Sequence, residues 1–192
     1  MVRLTRIYTR LGDEGDTHLG DMSRARKTSP RVIAYGDVDE LNTVIGVARA
    51  AVGLDRALAE RLAAIQNDLF DLGAGLCRPP DPDGKERLHV VASQVERLER
   101  WCDELNADLE PLRSFVLPAG TPAAAALHHA RAVCRRAERS AVALADAESA
   151  DAQALRYLNR LSDLLFIMAR VANDEDVLWV PGEGREGTGA ER

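Results

Sequence analysis

Residues 29–52 read SPRVIAYGDVDELNTVIGVARAAV, and this stretch decides the fold class. Serine before proline favours a helix start, because serine caps free backbone N–H groups and proline is tolerated in the first turn. After them, apolar residues recur at steps of three and four, which places them on one side of a helix. They are Ala34, Val38, Leu41, Ile45, Ala48 and Val52. The stretch therefore predicts an amphipathic helix that buries one face.

Four further stretches repeat this apolar spacing, so the chain is predicted to form five helices. The other four cover residues 58–76, 88–105, 122–144 and 152–172. Thr121 and Pro122 repeat the start signal of the first helix, and the proline-rich run at 79–84 marks a surface loop. Because most links are short, the pattern favours an all-α fold, an antiparallel five-helix bundle of the ferritin-like kind.

The two ends of the chain differ in composition from the helices. Residues 1–28 carry Gly12, Gly15 and Gly20 among threonines and charges, without helical spacing. We expect a short strand over residues 4–9 and a flexible loop in the rest of this segment. Since glycines let backbone N–H groups approach an anion, the segment is either a phosphate-binding loop or a flexible arm. Residues 29–180 would form the bundle domain, and residues 181–192 a disordered tail.

Charge and composition exclude several classes of protein. The 192 residues carry a formal net charge of −6 and are 46% hydrophobic, which suits one soluble globular domain. An acidic balance disfavours nucleic acid binding. No apolar run reaches the roughly 20 residues of a membrane span, and no signal-peptide core is evident at the N-terminus. Cys77, Cys102 and Cys134 are too far apart for a zinc site, and buried free thiols suit a reducing cytoplasm.

The fourth predicted helix carries a polar island. Arg131, Arg135 and Glu138 share one face at steps of four and three. Leu127 and Val142 continue that face at either end, unlike an ordinary solvated helix face. Such an island either binds an anionic ligand or holds a surface salt bridge between Arg135 and Glu138. Helical geometry alone leaves both interpretations open.

Two polar side chains on other helices raise a similar question. Asp39 shares a face of the first helix with Tyr35 and Asn42. It either pairs with an arginine of the fourth helix or simply favours the N-terminal half of its own helix. Asn159 lies among apolar residues of the fifth helix, where an amide needs a partner. It is therefore either a satisfied structural residue or a ligand contact.

The histidines do not form a recognisable catalytic or metal site. His18, His89, His128 and His129 make no metal-ligand pair at the i, i+4 spacing and no triad with a nucleophile elbow. The pattern favours helix packing or surface positions for His128 and His129. Glu-x-x-His motifs of metal-binding bundles are also absent, so no metal site is predicted. The candidate site thus consists of cations and hydrogen-bond donors around an anionic ligand.

Five motifs spread in order along the chain resemble the propanediol-utilisation type of ATP:cob(I)alamin adenosyltransferase. They are IYTRLGDEGDT at 7–17, PRVIAYGDVDELN at 30–42, FVLPAG at 115–120, ARAVCRRAER at 130–139 and YLNRLSDLLF at 157–166. The resemblance implies a homotrimeric enzyme that moves the 5′-deoxyadenosyl group of ATP onto the cobalt of cob(I)alamin, at sites between subunits. Two alternatives are a corrinoid carrier that delivers adenosylcobalamin to a client mutase, and a nucleotide-binding regulatory bundle without corrinoid.

The resemblance also implies roles for individual residues. An N-terminal group would wrap the ATP phosphates, namely Thr9, Arg10, Leu11, Gly12, Thr17, His18 and Lys27. A helical group would complete the nucleotide site, with Mg²⁺ bridging the phosphates, namely Arg135, Arg136, Ala137, Glu138, Arg139 and Asn159. Asp39 and Arg131 would form a salt bridge between subunits beside the corrinoid, and Phe115 would occupy the lower axial side of cobalt. Arg135, Asp39, Arg131 and Phe115 are the expected catalytic residues.

This reaction accounts for the missing protein nucleophile, since cob(I)alamin itself attacks the ribose C5′ and triphosphate leaves. A flavin reductase and an adenosylcobalamin-dependent mutase are the implied partner proteins, whereas nucleic acid and membrane are not expected as partners. The chain departs from the family pattern at three positions. Leu11 replaces a usual threonine, Asp16 adds a negative charge to the phosphate loop, and Ala119 replaces a usual glycine. The first two bear on the affinity for ATP.

Overall fold

The computed structural model describes residues 8, 10–80 and 87–183. Within these ranges the chain forms five helices and one small two-stranded sheet. The helices are α1 (Pro30–Arg49), α2 (Arg56–Leu76), α3 (Ala92–Asn106), α4 (Pro122–Ala147) and α5 (Ala152–Val171). The predicted all-α fold of five helices is therefore confirmed.

The predicted helix starts are built as the sequence indicates. The Ser29 side chain accepts a hydrogen bond from the backbone N–H of Val32, and the Thr121 hydroxyl accepts one from Ala124. Both caps are followed by proline, whose missing N–H costs nothing in a first turn. Asp55 and Asp151 cap α2 and α5 in the same way. Four of the five helices thus begin at a capping side chain.

Contacts between helices fix their directions. Asp37 meets Ser140 and Glu40 meets Arg136, so residue numbers rise along α1 as they fall along α4. Helix α1 also packs against α2, and α4 packs against α5. Cross-helix contacts likewise make α1 and α2, α2 and α3, and α4 and α5 antiparallel, while α3 and α5 run parallel. The segments 50–55, 107–121 and 172–183 consequently gather at one end of the bundle, and the N-terminal segment lies at the other.

Buried charge links the helix ends opposite the 107–121 segment. Arg31, in the first turn of α1, is only 2% exposed. Its guanidinium pairs with Glu148 at 2.8 Å and donates to the carbonyl oxygens of Leu76 and Ser149. Because a buried cation is stable only when its donors are satisfied, this arginine ties the start of α1 to the ends of α2 and α4.

A second buried polar group lies between α2, α3 and α5. The Asp68 carboxylate accepts hydrogen bonds from the Tyr157 hydroxyl at 2.7 Å and from the Gln94 amide at 2.8 Å, and it pairs with Arg97. Burial, followed by the charge of Asp68, raises the pKa of Tyr157 well above its usual value. The tyrosine therefore stays protonated and donates to the carboxylate, which stabilises the packing of α3 on the bundle.

The predicted start of the third helix is wrong by one turn. Leu88 and Val91 fit the apolar spacing, but the helix begins at Ala92 and Leu88 is 63% exposed. The Gln94 side chain accepts a hydrogen bond from the Val91 backbone N–H, which fixes the start at this point. Valine has no capping oxygen, so the sequence carried no signal for this boundary.

The N-terminal segment is not loop throughout its described part. Strands β1 (Asp16–His18) and β2 (Arg24–Arg26) pair antiparallel, with Asp16 opposite Arg26. The Gly20 N–H in their connection donates to the Cys77 carbonyl oxygen at the end of α2. Residues 10–28 thus have a defined conformation, where the sequence analysis expected a flexible loop. The predicted strand over residues 4–9 lies almost wholly outside the described residues.

The chain after α5 returns to the segment before α4. Val116 and Leu178 form an antiparallel bridge, and the Leu117 N–H donates to the Val177 carbonyl oxygen at 2.7 Å. This pairing holds residues 114–117 against residues 177–179 at one end of the bundle. None of the described helices is long and apolar enough to cross a lipid bilayer. The predicted tail beyond residue 183 lies outside the described residues.

Candidate active site

The polar island of α4 faces α5 and forms the first group of candidate residues. We call Arg131, Arg135, Glu138 and Asn159 the α4–α5 face. The Asn159 amide donates to the Glu138 carboxylate at 2.9 Å. Arg135 is exposed, and within the described residues its guanidinium has no hydrogen-bonding or ion-pair partner. The surface salt bridge between Arg135 and Glu138, the alternative left open by the sequence, is therefore not formed.

The neighbouring residues of the same motif point in other directions. Arg136 turns toward α1, where it pairs with Glu40 and lies 3.8 Å from Asp37. Arg139 is exposed and donates to the Arg135 carbonyl oxygen. Ala137 is 0% exposed, on the side of α4 that packs against other helices, and its expected nucleotide contact stays a prediction.

An apolar pocket adjoins the α4–α5 face at the end of the bundle where α4 begins. We call it the Phe115 pocket; it encloses about 340 Å³, and its lining includes Phe115, Val116, Pro118, His128, Arg131 and Phe166. Phe115 is 77% exposed. The Trp179 ring meets it edge-on, with centroids 5.9 Å apart, and the Trp179 N–H donates to the Phe115 carbonyl oxygen. The C-terminal segment therefore holds Phe115 at the mouth of the pocket.

Aromatic contacts orient the polar side chains of this pocket. The Arg131 guanidinium lies over the Phe166 ring, 5.3 Å from its centroid. The His128 ring meets the same phenylalanine edge-on, with centroids 6.1 Å apart. Burial, and then the positive charge of Arg131, lowers the pKa of His128. The pocket thus combines apolar walls with one cation and one imidazole held in its neutral form.

The N-terminal hairpin forms a second group of candidate residues. The Lys27 ammonium donates to the Gly12 carbonyl oxygen at 2.7 Å, which closes the loop ahead of β1. Asp16 pairs with Arg24 at 3.1 Å and with Arg26 at 3.0 Å. The negative charge of Asp16 is therefore neutralised within the hairpin. Thr9 lies outside the described residues, while Arg10, Leu11 and His18 are exposed around the same loop.

The hairpin lies beside a groove between α1 and α2. This α1–α2 groove encloses about 380 Å³, and Tyr35, Asp39, Asn42, Phe70 and Cys77 are among its lining residues. Burial raises the pKa of Tyr35, and the nearby Thr17 side chain of the hairpin opposes this shift. Asp39 is exposed, and its carboxylate has no partner in the described part of the chain. This carboxylate is therefore available to a ligand or to another chain.

The two groups of candidate residues do not meet within one chain. Helix α1 pairs Asp37 with Ser140 and Glu40 with Arg136, so Asp39 lies level with about residue 137 of α4. Arg131 is six residues further along, about 9 Å at the rise of an α-helix. The hairpin likewise makes no hydrogen bond to the α4–α5 face among the described residues. Among the described residues, the two groups of candidate residues are therefore separate from one another.

Several residues of the site escaped the sequence analysis. Trp179, Phe166, Phe70 and the paired Arg24 and Arg26 contact or line the candidate regions. Trp179 is 64 positions from Phe115, so only the strand pairing brings the two together. Opposite charges at Asp16, Arg24 and Arg26 were the signal that could have indicated their pairing across β1 and β2.

Comparison with known proteins shows which family the sequence matches. The family model for cobalamin adenosyltransferase matches residues 7–172. The corrinoid adenosyltransferase of Mycobacterium tuberculosis (strain H37Rv) is 55% identical over 188 residues, which cover 96% of this chain and 97% of that protein. The corrinoid adenosyltransferase of Bacillus subtilis (strain 168) is 41% identical over 172 residues, covering 88% and 86% of the two chains.

Solved structures show the same fold. A phenylalanine-to-alanine variant of the PduO-type ATP:corrinoid adenosyltransferase from Lactobacillus reuteri, complexed with cobalamin and ATP, superposes with a TM-score of 0.86 at 36% identity. The match covers 91% of this chain and 99% of that one. An arginine-to-lysine variant of the L. reuteri enzyme, complexed with ATP, gives 0.85 at 36% identity and covers 91% and 100%. The present chain therefore belongs to the cobalamin adenosyltransferase family, in its PduO-type form.

Proposed function

We propose that this enzyme transfers the 5′-deoxyadenosyl group of ATP to the cobalt of cob(I)alamin, forming adenosylcobalamin and releasing triphosphate. The observation that carries the proposal is the continuity of the α4–α5 face with the Phe115 pocket. Arg131 belongs to both, and Arg135 follows one helical turn later, about 6 Å along the axis. A cationic face for phosphates thus adjoins an apolar pocket for a macrocycle.

The reaction needs no nucleophile from the protein. The electron pair of Co(I) forms the cobalt–carbon bond at C5′, the C5′–O bond breaks, and its electrons leave with the triphosphate. The protein must hold the two substrates in line and neutralise the charge on the leaving group. Arg135, with an unpaired guanidinium, and Lys27 of the hairpin segment suit the second task. Magnesium enters with the nucleotide as MgATP, bound through the phosphates.

Phe115 would act on the corrinoid. Its exposed ring stands at the mouth of a pocket that has both apolar and polar lining residues, and the Trp179 ring packs against it. A phenyl ring offers cobalt no lone pair, so on the lower face it excludes water and other ligands. Removal of the lower ligand makes Co(II) easier to reduce to the reactive Co(I) state. This role accounts for a large apolar side chain left exposed in the free subunit.

The separation of the two groups of candidate residues supports a homotrimer in which each active site lies between subunits. The hairpin and the α1–α2 groove of one copy would approach the α4–α5 face of the next. Asp39, which has no partner among the described residues of its own chain, would pair with Arg131 of the neighbouring copy. The Arg131 guanidinium would then contact that carboxylate in place of solvent. Cyclic assemblies commonly build such sites from two different surfaces. Residues 1–28 are accordingly assigned to nucleotide binding and residues 29–180 to the bundle.

The test is direct synthesis. Purified protein is mixed with MgATP and chemically reduced cob(I)alamin, and the adenosylcobalamin absorbance spectrum is followed with loss of the signal under light. We expect turnover together with release of one triphosphate per product. Corrinoid binding without turnover would instead identify a carrier, the alternative that the family comparisons do not favour. A flavin reductase and a client mutase remain predicted partners. A cytoplasmic location also remains a prediction, with which the three free cysteines are consistent.

A further inference from the structure

His128 of α4 has a buried side-chain nitrogen that takes no part in the proposed reaction. The residue is 6% exposed and lines the Phe115 pocket. Its Nε2 is buried, and no hydrogen-bond partner for it exists among the residues that the structure describes. The large majority of buried side-chain polar atoms in folded proteins have a hydrogen-bond partner. An orphaned imidazole nitrogen at a substrate pocket is therefore a position where a missing partner is expected to come from a ligand.

The surroundings of the ring define what that partner can be. Phe166 meets the ring edge-on, and the two charged groups that influence it are Arg131 on its own helix and Asp176 after α5. With a cation nearby and little water, the imidazole stays neutral and offers one N–H donor and one acceptor nitrogen. A negatively charged phosphate would find Arg131 and Arg135 better partners. A neutral group that both donates and accepts matches the imidazole best.

We propose that His128 is a corrinoid-binding residue whose Nε2 forms a hydrogen bond with one of the amide groups at the edge of the corrin ring. A primary amide donates and accepts, so it can pair with either tautomer of a neutral imidazole. The pocket of about 340 Å³ is far smaller than a corrinoid, so it receives one edge or face of the ring. This assignment rests on the proposed function and adds a polar contact to the apolar lower-face site.

The neighbouring residue gives a matched control. His129 follows directly on α4 but is exposed to solvent, and it lines none of the described pockets. We compare His128→Leu, which fills the same space without polar atoms, with His128→Gln, whose amide reaches about as far as Nε2. His129→Leu controls for loss of a histidine from this turn. The readouts are the thermal midpoint, the Kd for ATP, and the Kd for cob(II)alamin with ATP bound.

A binding role and a packing role predict opposite results. If Nε2 bonds the corrinoid, His128→Leu raises the Kd for cob(II)alamin about fivefold or more, while the thermal midpoint stays equal or rises because a buried orphan is removed. The Kd for ATP does not change, His128→Gln recovers corrinoid binding to within about twofold, and His129→Leu behaves as wild type. A lower midpoint with an unchanged corrinoid Kd would assign His128 to packing and overturn the proposal.

Chemical probes identify the amide. Cobalamin monocarboxylates, each with one side-chain amide converted to a carboxylate, are titrated against wild type and His128→Leu. We expect one isomer to have a higher Kd for wild type than the other isomers have. For His128→Leu, the Kd of that isomer should equal those of the others. Equal penalties for every isomer in both proteins would refute the amide contact. Wild-type synthesis of adenosylcobalamin is measured alongside, so that failure of the proposed function is seen separately from failure of this contact.

Discussion

At the scale of single residues, the arginines of α4 differ in the contacts that their guanidinium groups make within the chain. Arg131 lies over Phe166, and Arg136 is paired with Glu40 of α1. Arg135 alone among these three is exposed without a partner in the described structure. A cation left unpaired beside a polar face retains its full capacity to bind an anion, since no internal salt bridge has to be broken first.

Replacement of Arg135 by alanine should therefore weaken the enzyme at the triphosphate. We expect the KM for ATP to rise about tenfold and kcat to fall about as much, since charge on the leaving group is left unscreened. The KM for cob(I)alamin should stay close to that of wild type. Initial rates of adenosylcobalamin formation measure both constants. Arg100→Ala, on the exposed side of α3, is the control, and wild-type kinetics in Arg135→Ala would remove this arginine from the site.

Phe115→Ala should separate nucleotide binding from cobalt activation. The Kd for ATP should be unchanged, because the ring lies in the Phe115 pocket, which we propose for the corrinoid, while the rate from cob(II)alamin with a flavin reductant should fall about a hundredfold. Spectra of cob(II)alamin with ATP should lose the four-coordinate species. Trp179→Ala should show a weaker form of the same defect, since it removes the brace and leaves the ring. Leu117→Ala serves as control, and equal rates in Phe115→Ala and wild type would exclude the lower-face role.

The structure treats the two departures from the family pattern in the N-terminal segment, Asp16 and Leu11, differently. Asp16 looked unfavourable for a triphosphate, but Arg24 and Arg26 both pair with it. That pairing joins two strands, and a sequence without a recognised hairpin gives no way to foresee it. Leu11 is 64% exposed, and its side chain adds no hydrogen-bond donor to the loop. The formal charge of Asp16 alone therefore did not predict the electrostatic potential around this loop.

At the scale of elements, the helices follow from local signals. The serine–proline and threonine–proline starts of α1 and α4 were readable because capping and proline tolerance act within one turn. The stripe of α2 was equally plain, since a buried helix face repeats its apolar residues. By contrast, the start of α3 depends on a backbone N–H bonded to Gln94, and strands β1 and β2 are three residues each. Such short or backbone-determined features leave almost no pattern.

The position of the hairpin depends on a close approach at Gly20. A Cβ added there would come within 2.5 Å of the Arg78 Cγ and 2.8 Å of the Cys77 Sγ. Gly20→Ala should therefore displace the hairpin from the end of α2, at a cost of about 1–3 kcal/mol to that contact. We expect a higher KM for ATP and faster proteolysis within residues 10–28, with the thermal midpoint of the bundle nearly unchanged.

A glycine at the other end of the bundle provides the comparison for this variant. Gly53, in the turn after α1, has a positive φ of 85° and nothing near its missing side chain. Gly53→Asn should keep the KM for ATP at the wild-type value, because asparagine tolerates this backbone region. If Gly20→Ala also keeps the wild-type KM, the docked position of the hairpin has no part in nucleotide binding.

At the scale of the whole molecule, each chain of the proposed trimer would supply two different surfaces to its neighbours. The hairpin and α1–α2 groove carry one, and the α4–α5 face with the Phe115 pocket carries the other. Light scattering under assay conditions should show a trimer. Asp39→Asn should keep the fold and the thermal midpoint but loosen the assembly or raise the KM for cob(I)alamin, since Arg131 of the neighbour loses its charged partner. A fully active monomer would rule out the shared site.

In the proposed trimer, two chains inactivated on different surfaces should restore activity to one another. Lys27→Ala spoils only the hairpin side, and Arg135→Ala only the α4–α5 side. When the two inactive proteins are unfolded together and refolded, each mixed trimer contains one junction built from an intact surface of either kind. Random assembly of equal amounts should restore about a quarter of the wild-type activity. Such complementation would arise because each chain supplies its hairpin to the active site with one neighbour and its α4–α5 face to the active site with the other.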